Sequence, residues 1–338
     1  MSKSILAITP GDPDGIGPEI VWKVIQSGFS NKNFHLLCIG AKLPFTRLGA
    51  QVIECSLADL SLGILEPPDN RVGPFIWLLA APEKAPDGKH LAGYQSGWSI
   101  EQATRLVLSG TASALVTGPI SKDRLQKGGF LYPGHTEFLA DLCQRQSVTM
   151  MLANQFLRVS LVTVHMGIKD ISAALTREEL RRAILQTAEG LSLLWGIKKP
   201  RIGITALNPH AGESGLFGNE ERDIIQPEIE ALTLSHASEF ELSGPFPADT
   251  LFAKQNLASP SERLDAIVCM YHDQGLIPVK LLDFHKTVNI TLGLPMIRTS
   301  VDHGVGFDIA GKGIADPSSL YSAIDLAIEL LRQKGIKK

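Results

Sequence analysis

Short apolar runs recur along the chain, each stopped by glycine, proline or histidine, and amphipathic stretches fill the intervals. Residues 4–8 stop at Thr9-Pro10-Gly11, 34–39 at Gly40, and 113–116 at Thr117-Gly118-Pro119. Residues 159–164 end in His165, 202–207 in Asn208-Pro209-His210, and 266–270 in Tyr271-His272. Runs this short, rich in β-branched residues and bounded by turn residues, predict strands. Apolar positions at helical spacing predict helices over 16–25, 177–194 and 319–333. The proline-rich polar stretches 66–70 and 81–89 predict loops. Strands alternating with helices predict an α/β fold, a largely parallel sheet covered by helices.

The chain has 338 residues, length for two domains at roughly 100–200 residues each. Its composition, 44% apolar and 20% charged, is that of a chain able to bury a core. A net charge of −3 provides no global attraction to nucleic acid or an anionic membrane, so anion binding must be local. Neither partner is expected. No apolar run approaches the ~20 residues of a membrane helix, and the first ten residues are too short an apolar stretch for a signal peptide. The expectation is a cytoplasmic protein. Cys38, Cys55, Cys143 and Cys269 are dispersed with no C-x-x-C pair, which argues against a zinc ribbon or disulfides. Cys38 and Cys269 sit in apolar runs and read as small core residues.

Candidate chemistry begins with position. In open α/β sheets ligands collect beyond the carboxyl ends of strands, and His165, His210 and His272 each stand there. Three imidazoles with an open position suit a catalytic metal. Substrate-binding or purely structural histidines fit the same pattern, and the long spacings make no local metal motif. Asp273 follows His272 directly and can complete a metal's surroundings or accept a proton. Asp249 can do the same or simply cap a helix. His135 and Thr136 open a helix-like segment whose first N–H groups could hold an anion, with Thr136 as a plain cap the alternative. Lys280 and Arg298 lie in apolar, glycine- and proline-punctuated segments and read as anion-binding, with Asn289 between them.

Three glycine-rich segments stand out. The first, "TPGDPDGIGPE" after the first strand, lacks the G-x-G-x-x-G spacing of a dinucleotide fold. The second, "NPHAGESGLFG", surrounds His210. The third spans 302–317, and within it 306–312 matches the start of a P-loop. The next residue is Gly313 where Ser or Thr should bind magnesium, which argues against an NTPase.

Seven motifs then fall in order: "TPGDPDGIGPE", "TGPISK", "GHTEFLA", "LNPHAGESGLFG", "GPFPADTLF", "MYHDQGLIPVK" and "VNITLGLPMIRTSVDHG". Together they resemble the 4-hydroxythreonine-4-phosphate dehydrogenase family of pyridoxal 5′-phosphate biosynthesis, from about residue 5 to about 330. The resemblance implies a two-lobed α/β/α fold, isocitrate/isopropylmalate dehydrogenase-like, with the active site in the inter-lobe cleft at a homodimer interface. It implies a discontinuous lobe of 1–125 with 297–338 carrying most of the NAD site. A second lobe, 126–296, would carry metal and substrate residues and dimer contacts. His165, His210 and His272 match the positions that hold one divalent ion (zinc, magnesium or cobalt) shared between subunits. His135, Thr136, Lys280, Asn289 and Arg298 match substrate-binding positions, and Asp249 and Asp273 match acidic, catalytic ones. NAD or NADP is expected along Asp302, His303, Gly304, Asp308 and Gly311.

The implied reaction is metal- and NAD(P)-dependent oxidation of 4-(phosphooxy)-L-threonine to 2-amino-3-oxo-4-(phosphooxy)butanoate, which decarboxylates to 3-amino-2-oxopropyl phosphate. Met166-Gly167-Ile168 departs from the Leu-Pro-Leu-like run of some members. "GESGLFG" and "FDIAGKG" also occur in enzymes acting on four-carbon sugar-acid phosphates, threonate or erythronate 4-phosphate, and these are the alternative substrates. A non-redox metal aldolase and a phosphate-ligand binding protein are the competing classes.

Overall fold

The computed structural model describes residues 4–28, 34–61, 65, 73–259 and 261–335. The loop expected over 66–70 lies outside them. Internal contacts divide the chain into two compact units, Met1–Gln146 with Leu294–Lys338, and Ser147–Gly293. His135 and Thr136 therefore belong to the first unit, since the division falls after residue 146 and not after 125.

The first unit holds β1 (Ser4–Thr9), β2 (Phe34–Gly40), β3 (Gln51–Glu54), β4 (Phe75–Ala80) and β5 (Ala114–Thr117). Its last strand, after the chain returns from the second unit, is β12 (Arg298–Ser300). They pair in the order β3-β4-β2-β1-β5-β12, every pair parallel. Both faces of such a sheet are covered, so its strands are near-continuously apolar. Leu37, Ile39, Leu115 and Ile100 are fully buried in one cluster, each stabilising the fold by about 1.5–3 kcal/mol. Ile100 lies on the helix Leu91–Leu108, whose N-cap is His90, its Nδ1 accepting the Gly93 N–H at 3.2 Å.

The second unit holds β6 (Thr149–Ala153), β7 (Arg158–Leu161), β8 (Arg201–Thr205), β9 (Glu241–Phe246), β10 (Ala266–Cys269) and β11 (Val288–Leu292). Their order is β11-β6-β7-β10-β8-β9. β7, β10, β8 and β9 run parallel, whereas β6 is antiparallel to both β11 and β7. The cause is a tight turn, because only antiparallel neighbours can be joined by a few residues. Asn154 makes that turn, its Oδ1 accepting the N–H groups of Phe156 and Leu157 at 2.9 and 3.0 Å.

The helix Arg177–Trp195 starts at Thr176, which accepts the Glu179 N–H at 3.2 Å, and ends at Gly196 with φ 69°. The Thr-x-x-Glu start and left-handed glycine stop are both written in the sequence. Leu180, Ile184, Leu191 and Leu194 form its buried stripe. Cys38 and Cys269 are buried, and all four cysteines are free thiols. No helix among the described residues is long and apolar enough to cross a membrane.

Candidate active site

Three parallel strands of the second unit deliver the histidines. His165 lies just past β7, His210 past β8, and His272 opens the helix His272–Leu282 that follows β10. The rings of His165 and His272 stand 5.8 Å apart, centroid to centroid. Both line one pocket of about 230 Å³ together with Val164, Met166, Tyr271 and Asp273. Asp273 Oδ1 lies 2.6 Å from His272 Nδ1. That contact fixes the tautomer, leaving the Nε2 lone pair available to an electrophile. The donor chemistry fits a divalent ion. His210 does not line this pocket, and among the described residues no three His, Cys, Asp or Glu side chains gather into a metal-holding group.

His210 begins an unusual segment. His210, Ala211, Gly212, Glu213 and Ser214 all have positive φ, from 41° to 77°. Four are not glycine, and each such residue costs about 1–2 kcal/mol in a left-handed turn. The turn is anchored from outside: Glu221, buried, accepts the N–H groups of Leu207 and Asn208, both at 2.8 Å. Gly212 packs against the same carboxylate; a Cβ there would stand 2.6 Å from Glu221 Oε2.

The other second-unit candidates are placed as follows. Lys280 sits on the helix His272–Leu282 with its Nζ 5.7 Å from the Phe284 ring centre. Asn289 is half-buried in β11. Asp249 is exposed in the first turn of the helix Ala248–Leu257, whose N-cap is Pro247, so Asp249 is not the cap.

In the first unit, Arg298 opens β12 and is only 2% exposed. Its Nη2 donates to Thr117 Oγ1, the last residue of β5, at 2.6 Å. Burial pushes the guanidinium pKa down to about 9. His135 opens the helix His135–Leu142, with Nε2 buried and lacking a hydrogen-bond partner. Burial, and then the charge of Arg298, holds its pKa well below the usual imidazole value. A buried cation beside a neutral imidazole with an unused nitrogen has the chemistry to receive an anion. Thr136 is in the same helix's first turn; the N-cap is Gly134, so Thr136 is not the cap.

The glycine-rich segment after β12 is a loop of turns, not a strand-to-helix P-loop. Asp302 and His303 are half-buried, Gly304 and Asp308 exposed. His303 Nδ1 lies 2.9 Å from Gly304 O, and its Nε2 is buried with no hydrogen-bond partner. A buried ring nitrogen left open suits a polar ligand such as a dinucleotide. Gly311 donates its N–H to Glu19, so its amide is already used.

A protein-family model described as "Pyridoxal phosphate biosynthetic protein PdxA" matches residues 76–327. The chain is 42% identical to a 4-hydroxythreonine-4-phosphate dehydrogenase of Caulobacter vibrioides, over 99% of this chain and 100% of that one. The chain belongs to the PdxA family. It is also 41% identical to a Bradyrhizobium diazoefficiens protein provisionally named a D-threonate 4-phosphate dehydrogenase, covering 98% of this chain and 97% of the other. The crystal structure of the 4-hydroxythreonine-4-phosphate dehydrogenase from Klebsiella pneumoniae superposes with a TM-score of 0.82 at 36% identity, covering 98% of each chain.

As a member of the PdxA family the chain is an NAD(P)-dependent oxidoreductase. Several residues that shape its candidate site escape sequence reasoning. Glu19 closes the motif "GIGPE", yet its partners lie near the other end of the chain: the N–H groups of Gly311, Gly313 and Ala315 at 3.1, 3.3 and 2.9 Å. Its carboxylate thereby satisfies three backbone N–H groups of one loop. Arg124 links Asp12 and Asp14 at 3.2 and 2.7 Å and stacks on Phe307, 4.3 Å from the ring centre. Asp12 itself is buried, with Oδ2 lacking a hydrogen-bond partner. Only the acid-rich "GDPD" hinted at such a residue.

Proposed function

We propose that this dehydrogenase oxidises C3 of 4-(phosphooxy)-L-threonine to give 2-amino-3-oxo-4-(phosphooxy)butanoate, which loses carbon dioxide to form 3-amino-2-oxopropyl phosphate. The observation that carries the reading is the buried pair Arg298 and His135. A buried guanidinium regains from a phosphate the stabilisation it loses with water, and His135 Nε2 adds a further contact. Thr136, Lys280 and Asn289 contribute to holding the substrate. Gripping the phosphate spends remote binding energy on fixing the reacting carbon.

His165, His210 and His272 hold a divalent ion of the zinc, magnesium or cobalt class. Such an ion would supply Lewis acidity toward the C3 hydroxyl, and NAD(P) would supply the hydride acceptor. The segment around His303 and Asp308 binds that cofactor. Asp249 is exposed and able to accept the hydroxyl proton; Asp273 orients His272 through the 2.6 Å contact.

Two copies of the chain share these sites. In support, exposed apolar side chains flank the histidines: Met166 and Ile168 beside His165, Leu216 and Phe217 beside His210. Ile168 is 82% and Leu216 73% exposed, an arrangement suited to cover by a second copy.

The second reading is oxidation of D-threonate or erythronate 4-phosphate, favoured by the 41% identity to the Bradyrhizobium protein. A panel of phosphorylated four-carbon acids, each assayed by NADH absorbance with zinc, magnesium or cobalt, decides. Turnover of 4-(phosphooxy)-L-threonine alone supports the first reading. Preference for the sugar acids supports the second, and no NADH with any of them overturns both.

A further inference from the structure

The helix Lys122–Lys127 follows the loop that leaves Thr117, the β5 residue to which Arg298 donates. Its N-cap is Ser121, which accepts the Arg124 N–H at 3.3 Å, so the helix needs nothing from Lys122 to begin. A cation in the first turn opposes the partial positive charge of a helix N-terminus. The other cations of this helix are committed: Arg124 pairs with Asp12 and Asp14, and Lys127 with Asp123 at 2.7 Å. Lys122 is exposed and, among the described residues, makes no ion pair or side-chain hydrogen bond.

Its direction is given by Gly134, the N-cap of the helix that His135 opens. A Cβ on Gly134 would meet Lys122 Cε at 3.6 Å and Glu137 Oε2 at 3.4 Å. The lysine stem therefore lies across the start of that helix. Its ammonium, one bond farther on, stands at a helix end whose first N–H groups have no partner within the helix. His135 Nε2, buried and lacking a hydrogen-bond partner, belongs to the same turn. The Arg298 guanidinium, only 2% exposed, is close enough for its charge to act on His135. Thr117, Lys122, Gly134, His135 and Arg298 all belong to the first unit, so one chain's own fold assembles them.

We propose that Lys122 is a further substrate-binding residue, its ammonium contacting the same phosphate that Arg298 and His135 receive. The inference rests on the reading of Arg298 and His135 as the phosphate site. A phosphate monoester has more terminal acceptors than one guanidinium and one imidazole nitrogen satisfy. A compact, mobile ammonium suits its solvent side, while the buried groups fix it from within. The competing role for Lys122 is a surface partner for Glu137, whose carboxylate approaches the same point.

Calorimetric titration of the full-length protein, supplied with zinc and without NAD, tests this with 4-(phosphooxy)-L-threonine and 4-hydroxy-L-threonine as paired probes. Lys122→Met should bind the phosphorylated probe about 10-fold more weakly than wild type, the low end for a charged hydrogen bond because the site is open to water. It should bind the unphosphorylated probe as wild type does. Lys122→Arg should recover part of the loss. Glu137→Gln should bind the phosphorylated probe at least as tightly as wild type, since it removes a like charge beside the phosphate. Unchanged melting temperatures should accompany these changes at an exposed side chain. Wild-type affinity in Lys122→Met, beside a loss in Arg298→Met, would overturn the role of Lys122 and leave the phosphate site standing. Equal loss of both probes in Lys122→Met, or a matching loss in Glu137→Gln, would overturn it as well. A wild type that does not prefer the phosphorylated probe would instead remove the phosphate reading, and the inference with it.

Discussion

The carboxylate of Glu19 lies 2.9 Å from the backbone nitrogen of Ala315, 296 positions later in the chain. The first helix of the chain thereby holds the glycine loop that leads into the last. Lys23, one turn on from Glu19, completes the clasp by donating to Gly313 O and Ala315 O at 2.9 and 2.6 Å. Burial works against charge on Glu19. The hydrogen bonds from Lys23, Ala315 and Gly313 outweigh it and hold its pKa below the usual carboxylate value. A carboxyl depressed in the folded state stabilises the protein above its unfolded pKa and loses that contribution as pH falls through the folded value. Wild type should therefore lose stability below about pH 4.5 more steeply than Glu19→Gln. Glu19→Ala leaves three N–H groups without their acceptor, while Lys23 keeps the Gly313 and Ala315 carbonyls, and should cost about 1–3 kcal/mol at pH 7. Urea unfolding across pH 3–7 checks both, and parallel acid profiles for wild type and Glu19→Gln would dismiss the first.

His135 predicts an acid effect at a different pH. Its imidazole is kept neutral by burial and by Arg298, so its pKa lies well below 6.5 when folded. The unfolded chain binds the proton first, and stability falls as pH drops below about 6.5. The slope is about 1.4 kcal/mol per pH unit until the folded pKa is reached. His135→Asn should flatten the profile between pH 5 and 6.5. Phosphate or a phosphorylated substrate analogue should raise the melting temperature of wild type more than that of the variant.

Much of this arrangement is legible in the sequence, and the reasons it stops are physical. The strands leading toward His165, His210 and His272 are visible because each apolar run is punctuated soon afterwards, although they stop at Leu161, Thr205 and Cys269. The helix Arg177–Trp195 is visible because its cap, stripe and glycine stop are all local. β6 and β11 escape, since an antiparallel insertion in a parallel sheet depends on the Asn154 turn and on pairing across distant segments. β12 is only three residues long, too short for any period to register. Glu19 accepts backbone N–H groups 292, 294 and 296 positions later, and Gln274 joins the nearby Met270 N–H to Thr205 and Ala206, 69 and 68 positions earlier, so nothing local distinguishes either from a solvated residue. Asp273 reads equally well as base or orienter until its distance to His272 is known.

Arg298 should matter for affinity before rate. Arg298→Met keeps much of the buried volume and removes the charge, leaving Thr117 Oγ1 without its 2.6 Å donor. Loss of a charged hydrogen bond costs about 1.5–3 kcal/mol, roughly a 10–100-fold rise in KM for the phosphorylated substrate. Steady-state kinetics with varied substrate and saturating NAD give the split. A fall in kcat at unchanged KM would place Arg298 in the chemical step instead.

The contact between Asp273 and His272 separates two roles for the acid. If Asp273 orients the imidazole, Asp273→Asn should weaken metal binding about 10–100-fold, and added metal should recover much of the activity. If Asp273 is the proton acceptor, metal affinity should hold and kcat should fall with no recovery. Isothermal titration with zinc, paired with activity over a range of zinc concentrations, distinguishes the two. The first outcome is expected, because the 2.6 Å separation commits the carboxylate to the ring.

The left-handed turn at His210 offers the sharpest structural test. Gly212 has φ 77°, where a side chain costs about 1–2 kcal/mol in backbone strain. A new Cβ would also stand 2.6 Å from Glu221 Oε2 and force that carboxylate aside. Glu221 is what the N–H groups of Leu207 and Asn208 depend on, so moving it releases the entry to the turn as well. Gly212→Ala should therefore destabilise by more than the strain alone, about 2–4 kcal/mol when the loss of buried hydrogen bonds is included. The neighbouring Ala211→Gly works the other way. Ala211 already carries φ 52°, and glycine there relieves strain while adding unfolded-state entropy, for a net change within about 1 kcal/mol. Chemical denaturation of the two variants measures the contrast. If Gly212→Ala proves as stable as Ala211→Gly, the turn does not depend on Glu221 for its shape.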